Sequence, residues 1–165
     1  MPQKKQPKFR PHQKLLAALA FALLLGLVSI EISDFLSTEG YVKADVVDVD
    51  GNTIILGQGC TAIIADTTEE RAESILLGIE GKIGERPNTH DVFVDAFETF
   101  NITIDSITID RFDGEYYYSN IVLRAEDKIL KIDSRPSDAI AIALRANAPI
   151  YLNKTLLKEN GKNIC

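Results

Sequence analysis

Along the 165-residue chain the spacing of apolar positions changes several times, and each spacing predicts a different element. Leu15 to Ile30 is sixteen residues without a charge. It is longer than the roughly 7–15-residue core of a secretory signal and slightly short of the roughly 18 residues that a free-standing span needs. Glu31 to Gly40 is a polar linker. From Tyr41 the pattern alternates: YVKADVVDV and NTIIL, split by Asp50-Gly51, predict a β-hairpin, and CTAIIA a third strand. From Thr67 to about Glu80, Ala72, Ile75, Leu76 and Ile79 recur at helical spacing with Glu69, Glu70 and Glu73 off the stripe. This predicts an amphipathic helix lying on a sheet.

The second half repeats the theme. GKIGERPN is turn-rich, and Val92, Phe93, Ala96, Phe97 and Phe100 predict a helix over Thr89 to Phe100. In NITIDSITID the alternation changes phase between Ile104 and Ile107, which predicts a bulge at Asp105-Ser106. Asp113-Gly114 then turns the chain into EYYYSNIVLR, followed by DKILKI. The helix from Pro136 to about Ala146 alternates Ala139, Ala141, Ala143 and Ala146 with Ile140, Ile142 and Leu144, so it is mostly buried. A short strand PIYL and a weak polar helix complete the chain. Blocks of strands and helices, rather than strict alternation, predict an α+β fold: a compact mixed domain over residues 41–160, behind an N-terminal transmembrane helix.

Charge sharpens the N-terminal assignment. Residues 1–14 hold Lys4, Lys5, Lys8, Arg10 and Lys14 and no acid. Such a tail stays in the cytoplasm by the positive-inside rule, placing the domain outside. No small-residue cleavage site follows at the usual distance, since Val42-Lys43-Ala44 lies too far downstream. An uncleaved signal anchor at residues 15–30 is therefore favoured, with export after cleavage as the alternative. Beyond the basic tail, thirteen basic residues face twenty-four acidic ones. So acidic a domain repels nucleic acid over most of its surface, and any polyanion site must be local. Cys60 and Cys165 show no metal-ligand or redox spacing and are expected to be free thiols, with pairing the alternative if the domain is exported. Asn101 and Asn153 begin the glycosylation triplets NIT and NKT.

Candidate chemistry gathers at two helix starts, RPNTHD (Arg86 to Asp91) and DSRPSD (Asp133 to Asp138). Proline suits the first helical position, where its missing N–H has no partner to lose, and it holds the preceding arginine extended. Thr89 is the expected cap of one helix, and Asp138 the expected first-turn partner of a free N–H in the other. Every one of these residues has an ordinary reading as a capping device. The functional reading is that each helix start joins free N–H groups to an arginine, a ready anion site. On that reading Arg86, Thr89, Arg135 and Ser137 bind substrate or anion. His90, Asp91, Asp133 and Asp138 supply acid–base chemistry, and Asp91, Asp133, Asp138 and Glu70 are candidate ligands for magnesium or manganese. A calcium loop at DVVDVDGN fails because Gly57 stands where its closing glutamate is needed.

RPNTHD, then DGEYYYSNIVL, then IDSRPSDAIAIALRANAPIYL together resemble the bifunctional nuclease domain family, over roughly Tyr41 to Asn160. The resemblance implies a compact α+β domain that forms homodimers or higher homo-oligomers and degrades RNA and DNA. It marks Arg86, Thr89, His90, Asp91, Asp133, Arg135, Ser137 and Asp138 as signature positions, with Glu70 as the early glutamate of the first helix. The chain departs from the family in its anchor and in the acidic ADTTEE before that helix. Two functions follow: a membrane-anchored nuclease or phosphodiesterase, or a non-catalytic anion- or small-ligand-binding module. Convergence of Arg86, Arg124, Arg135 and Arg145 into one cleft would favour the first. Arginines surrounded by acids would favour the second.

Overall fold

The computed structural model describes residues 38–165, of which Gly40–Cys165 form one compact unit. The basic tail, the anchor and most of the linker lie outside the described residues. Among those described, no helix is long and apolar enough to cross a membrane.

The elements are β1 (Tyr41–Asp50), β2 (Thr53–Gln58), β3 (Thr61–Asp66), α1 (Glu69–Glu80), α2 (Thr89–Thr99), β4 (Thr103–Phe112), β5 (Tyr117–Ala125), β6 (Lys128–Ser134), α3 (Pro136–Ala146), β7 (Ile150–Asn153), α4 (Lys154–Asn160) and β8 (Lys162–Asn163). They make the expected α+β domain. Its eight strands form one sheet in the order β6-β5-β4-β7-β1-β2-β3-β8. Every neighbouring pair is antiparallel except β4 and β7, which run parallel from Ile107 opposite Ile150 to Ile109 opposite Leu152. β7 thus joins two three-stranded meanders.

Local chemistry explains the turns and irregularities. Gly51 follows Asp50 with φ 59°, the left-handed backbone that a tight hairpin needs. Asp113 turns the chain at Gly114 by accepting from the N–H groups of Glu115 (3.0 Å) and Tyr116 (2.8 Å). The β4–β5 register shifts between Ile104 and Ser106, as the change of phase predicts, and the extra residue Asp105 reaches Arg124. A second shift, between Ile109 and Arg111, turns Asp110 toward Asn120 and the Tyr41 hydroxyl.

Helix α3 is the central helix of the core. Ala139, Ala141 and Ala143 are wholly buried and Ile140 and Ile142 nearly so. It packs on β4 and β5 and contacts both α1 and α2. Two apolar stripes are rotated from their expected positions. Leu76 and Ile79 of α1 and Val92 of α2 are exposed, whereas Ser74, Gly78 and Asp91 are buried. The reason is the close approach of α1 to α3: a side chain added at Gly78 would meet Leu144 Cβ at 3.0 Å. Small and polar groups therefore line that contact, and bulkier side chains turn outward.

The expectation of free thiols is overturned. Cys60 and Cys165 form a disulfide with a Cα–Cα distance of 5.2 Å. Strand β8, where a polar helix was expected to run to the terminus, pairs Thr61 with Asn163, and Ile164 N–H donates to the Cys60 carbonyl at 3.0 Å. This pairing carries the last residue over the β2–β3 turn.

Candidate functional site

The starts of α1, α2 and α3 converge on a cleft of about 380 Å³. Glu70, Arg71 and Ser74 reach it from α1, Thr89 and His90 from α2, and Arg135 and Asp138 from the start of α3. Each is placed by its helix. Ser74 lies four residues beyond Glu70 and three beyond Arg71, so it is one turn from each on the same side of α1. Asn88 caps α2: its Oδ1 accepts from the N–H groups of His90 (2.9 Å) and Asp91 (3.2 Å), and its own N–H donates to Asp91 Oδ2 at 2.7 Å. That reciprocal capping box locks the first turn and hence the direction of His90.

The cap fixes more than backbone. With Oδ1 accepting, the other atom of the Asn88 amide is the donor, and it gives a hydrogen bond to Ser74 Oγ at 3.0 Å. Ser74 Oγ lies 2.8 Å from His90 Nδ1, and His90 Nε2 lies 3.3 Å from Asp138 Oδ1. Because Ser74 already accepts from Asn88, its hydroxyl hydrogen is free to point at Nδ1. The neutral ring then carries its proton on Nε2, toward the Asp138 carboxylate. Protonation adds a hydrogen on Nδ1, which Ser74 accepts. On the far side of Asp138, Arg135 Nε donates to Oδ2 at 2.5 Å. The result is a chain from Asn88 through Ser74, His90 and Asp138 to Arg135.

Arg71 completes the site. Among the described residues its guanidinium makes no hydrogen bond or close ion pair, its charge acting on Glu70 only at longer range, and it lines the cleft together with Arg135. The same two arginines also line a second, larger cavity of about 470 Å³ over Ile54, Leu56, Ile63 and Ile140. Arg135 spends its Nε on Asp138, which leaves its two terminal nitrogens for an incoming anion.

The sequence-predicted residues separate into two groups. Glu70, Thr89, His90, Arg135 and Asp138 meet in the cleft, and Ser137 is buried beside it, in the wall of the larger cavity. Arg86 and Asp133 are exposed and line neither cavity, Asp133 standing on β6 opposite Asn120. Asp91 faces away from the cleft and binds Arg145, whose Nε lies 2.5 Å from Oδ1. Arg145 Nη1 also donates to the carbonyls of Ser74 and Ala141, both at 2.9 Å. Burial pushes the Asp91 carboxyl up, but the bonds from Arg145 and the Asn88 N–H outweigh it and hold Asp91 below the usual carboxylate range. Glu70, Asp91, Asp133 and Asp138 are therefore not gathered as metal ligands. Among the described residues no group of three or more His, Cys, Asp or Glu side chains is placed to hold a metal ion.

Two details of capping differ from expectation. Asn88 is the α2 cap and Thr89 the first helical residue, so Pro87 lies outside the helix. Asp138 binds side chains rather than a backbone N–H, and α3 has no side-chain cap. The four arginines whose convergence would favour a nuclease do not converge: Arg124 pairs with Asp105 on the sheet and Arg145 with Asp91 in the core. Arg71, Ser74 and Asn88 were missed. The available signals were Asn88 three residues before Asp91, and a serine at a buried helical position one turn beyond Glu70.

Comparison with known proteins matches these elements to a family. Residues 59–164 match the model of the bifunctional nuclease domain. An uncharacterized protein of Mycobacterium tuberculosis is 30% identical over 93 residues, which are 56% of this chain and 55% of that protein. Bifunctional nuclease 1 of Oryza sativa subsp. japonica is 29% identical over 82 residues, 48% of this chain and 25% of its own length. The bifunctional nuclease of Oryza minuta gives the same figures. The chain thus spans about half the length of the mycobacterial relative and about a quarter of the rice proteins. The matched region covers more than half the chain and contains every residue of the cleft, from Glu70 to Ile142: the chain belongs to the bifunctional nuclease domain family.

Proposed function

We propose that the protein is a phosphodiesterase of the nuclease type, held at the membrane by residues 15–30 with its domain outside the cytoplasm. The observation that carries the activity is the contact of His90 with an Asp138 that is also bound by Arg135, in a cleft that holds a second, unpaired arginine. The nuclease names of the rice relatives support the same reading.

The geometry suits in-line hydrolysis. Arg71 and the free nitrogens of Arg135 neutralise the non-bridging phosphate oxygens. Water attacks phosphorus and gives a proton to the Asp138 carboxylate, while protonated His90 delivers its Nε2 proton to the leaving oxygen as the P–O bond breaks. The proton on Asp138 then returns to His90 across their 3.3 Å contact, restoring both groups. Ser74 and Asn88 keep the ring in place throughout.

Export is supported by the disulfide, which persists in oxidising compartments and is rare in the cytosol. The distribution of arginines favours a second reading: with Arg124 and Arg145 neutralised by acids, the cleft holds few free cations, as suits an anion-binding module.

Hydrolysis assays on single- and double-stranded DNA and RNA decide between them. His90→Ala and Asp138→Asn are each expected to lower the rate roughly 10²-fold or more while leaving the melting temperature nearly unchanged. Full activity in both variants removes catalysis from this cleft.

A further inference from the structure

The two cavities share a wall made of Arg71 and Arg135, yet their linings differ. The cleft holds the histidine and the carboxylates. The larger cavity has an aliphatic floor of core residues, Ile54, Leu56, Ile63, Ile109 and Ile140. The rest of the lining is polar or aromatic: the buried Ser137, the hydroxyls of Thr67 and Thr68, the carboxylates of Asp66 and Glu115, and the rings of Tyr116 and Tyr117. We propose that this cavity receives the base of a nucleotide whose phosphate rests on Arg71 and Arg135, making the substrate a short, single-stranded oligonucleotide. The inference rests on the phosphodiesterase reading for the reaction, but its binding claim stands separately.

Each element of the proposal follows from the lining. A volume of about 470 Å³ is within the usual range of small-molecule sites and admits a flat ring system. The aliphatic floor rewards burial of its faces, while the rim supplies carboxylate and hydroxyl acceptors for exocyclic amines and tyrosine rings for stacking. Such a base must leave its helical stack, which a duplex resists and a single strand does not. Charge limits the length. Beyond the basic tail, twenty-four acidic residues against thirteen basic ones repel a long polyanion, whereas two guanidinium groups match one or two phosphates.

The test compares adenosine 5′-monophosphate with ribose 5-phosphate, which keeps the phosphate and sugar but lacks the base, by calorimetric titration of the full-length protein. The nucleotide is expected to bind roughly tenfold or more tightly. Ala65→Phe, which projects a ring into the cavity, should reduce nucleotide affinity to that of ribose 5-phosphate and leave the latter unchanged. If that variant is unstable, Tyr116→Ala at the exposed rim should narrow the same difference. Equal affinities in the unaltered protein overturn the base site, as does tighter binding of decanoate, which would mark an acyl cavity. Hydrolysis is read separately. Faster cleavage of a single strand than of its duplex supports the proposal, and equal rates overturn it. Base-dependent binding with no hydrolysis of any substrate refutes the enzymatic reading while leaving the base site in place.

Discussion

Asp91 illustrates how one side chain carries several obligations. It closes the cap of α2, neutralises the buried Arg145 and, through that arginine's grip on the Ser74 carbonyl, joins α1, α2 and α3 beneath the cleft. Removing one member of a buried pair leaves the other charged and unpaired, which costs about 3–5 kcal/mol. Asp91→Ala is therefore expected to destabilise the domain by about that amount in urea unfolding, and Arg145→Leu to behave similarly. A loss below about 1 kcal/mol would show that the pair is not structural. Acid titrates the same interaction. Asp91 is held below the ordinary carboxylate range, and Asp113 is held at about 2 by the Tyr116 N–H, the Tyr118 hydroxyl and the Glu115 N–H. Both are depressed, so their stabilisation is complete above the unfolded value of roughly 3.9 and is lost as pH falls through the folded values. Denaturation midpoints measured from pH 7 down to 2 should be flat at first and then fall below about pH 4. In Asp113→Asn the share lost toward pH 2 should disappear.

At the scale of elements, the approach of α1 to α3 controls how Ser74 meets His90. Gly78 makes that approach possible, because a Cβ there would lie 3.0 Å from both Leu144 Cβ and Arg145 Nη1. Gly78→Val is expected to cost about 1–3 kcal/mol through overpacking. It should also lower hydrolysis more than a remote substitution of equal cost, because it displaces Ser74. Equal stability and activity would mean that the helices separate freely. The strands, their turns and the Asp105 bulge were legible in the sequence because their alternation and turn residues act over a few neighbours. His90, Asp138 and Arg135 were legible as residues of two helix starts for the same reason, and the structure brings them into one cleft. What could not be read was which face of each helix turns inward: the apolar spacing of α1 pointed to Leu76 and Ile79, whereas packing against an alanine-rich helix selects Ser74 and Gly78. That Arg145 is consumed in the core while Arg71 lines the cleft could not be read either, because a partner fifty-four residues away decides which arginine is paired.

For the whole molecule, the disulfide spans 105 residues and fixes the chain end to the β2–β3 turn. Closing a loop of that length stabilises by roughly 4–5 kcal/mol in the chain-entropy model. Reduction should lower stability by a few kcal/mol and expose β8 to hydrogen exchange before other strands. Trapping thiols with an alkylating agent in intact cells should find both cysteines oxidised if the domain is exported; free thiols there would place it in a reducing compartment.

The parallel pairing of β4 with β7 also orders events in time. The β1-β2-β3 and β4-β5-β6 meanders each form from hairpins between successive strands, contacts that close quickly. Nothing in the sheet connects them until Ile150–Asn153, made after both, slots between β1 and β4. Up to that moment the nascent chain carries two half-sheets with unpaired edges at β1 and β4, open to association with other chains. The cleft is subject to the same delay, because α3, which contributes Asp138, also follows both meanders in synthesis.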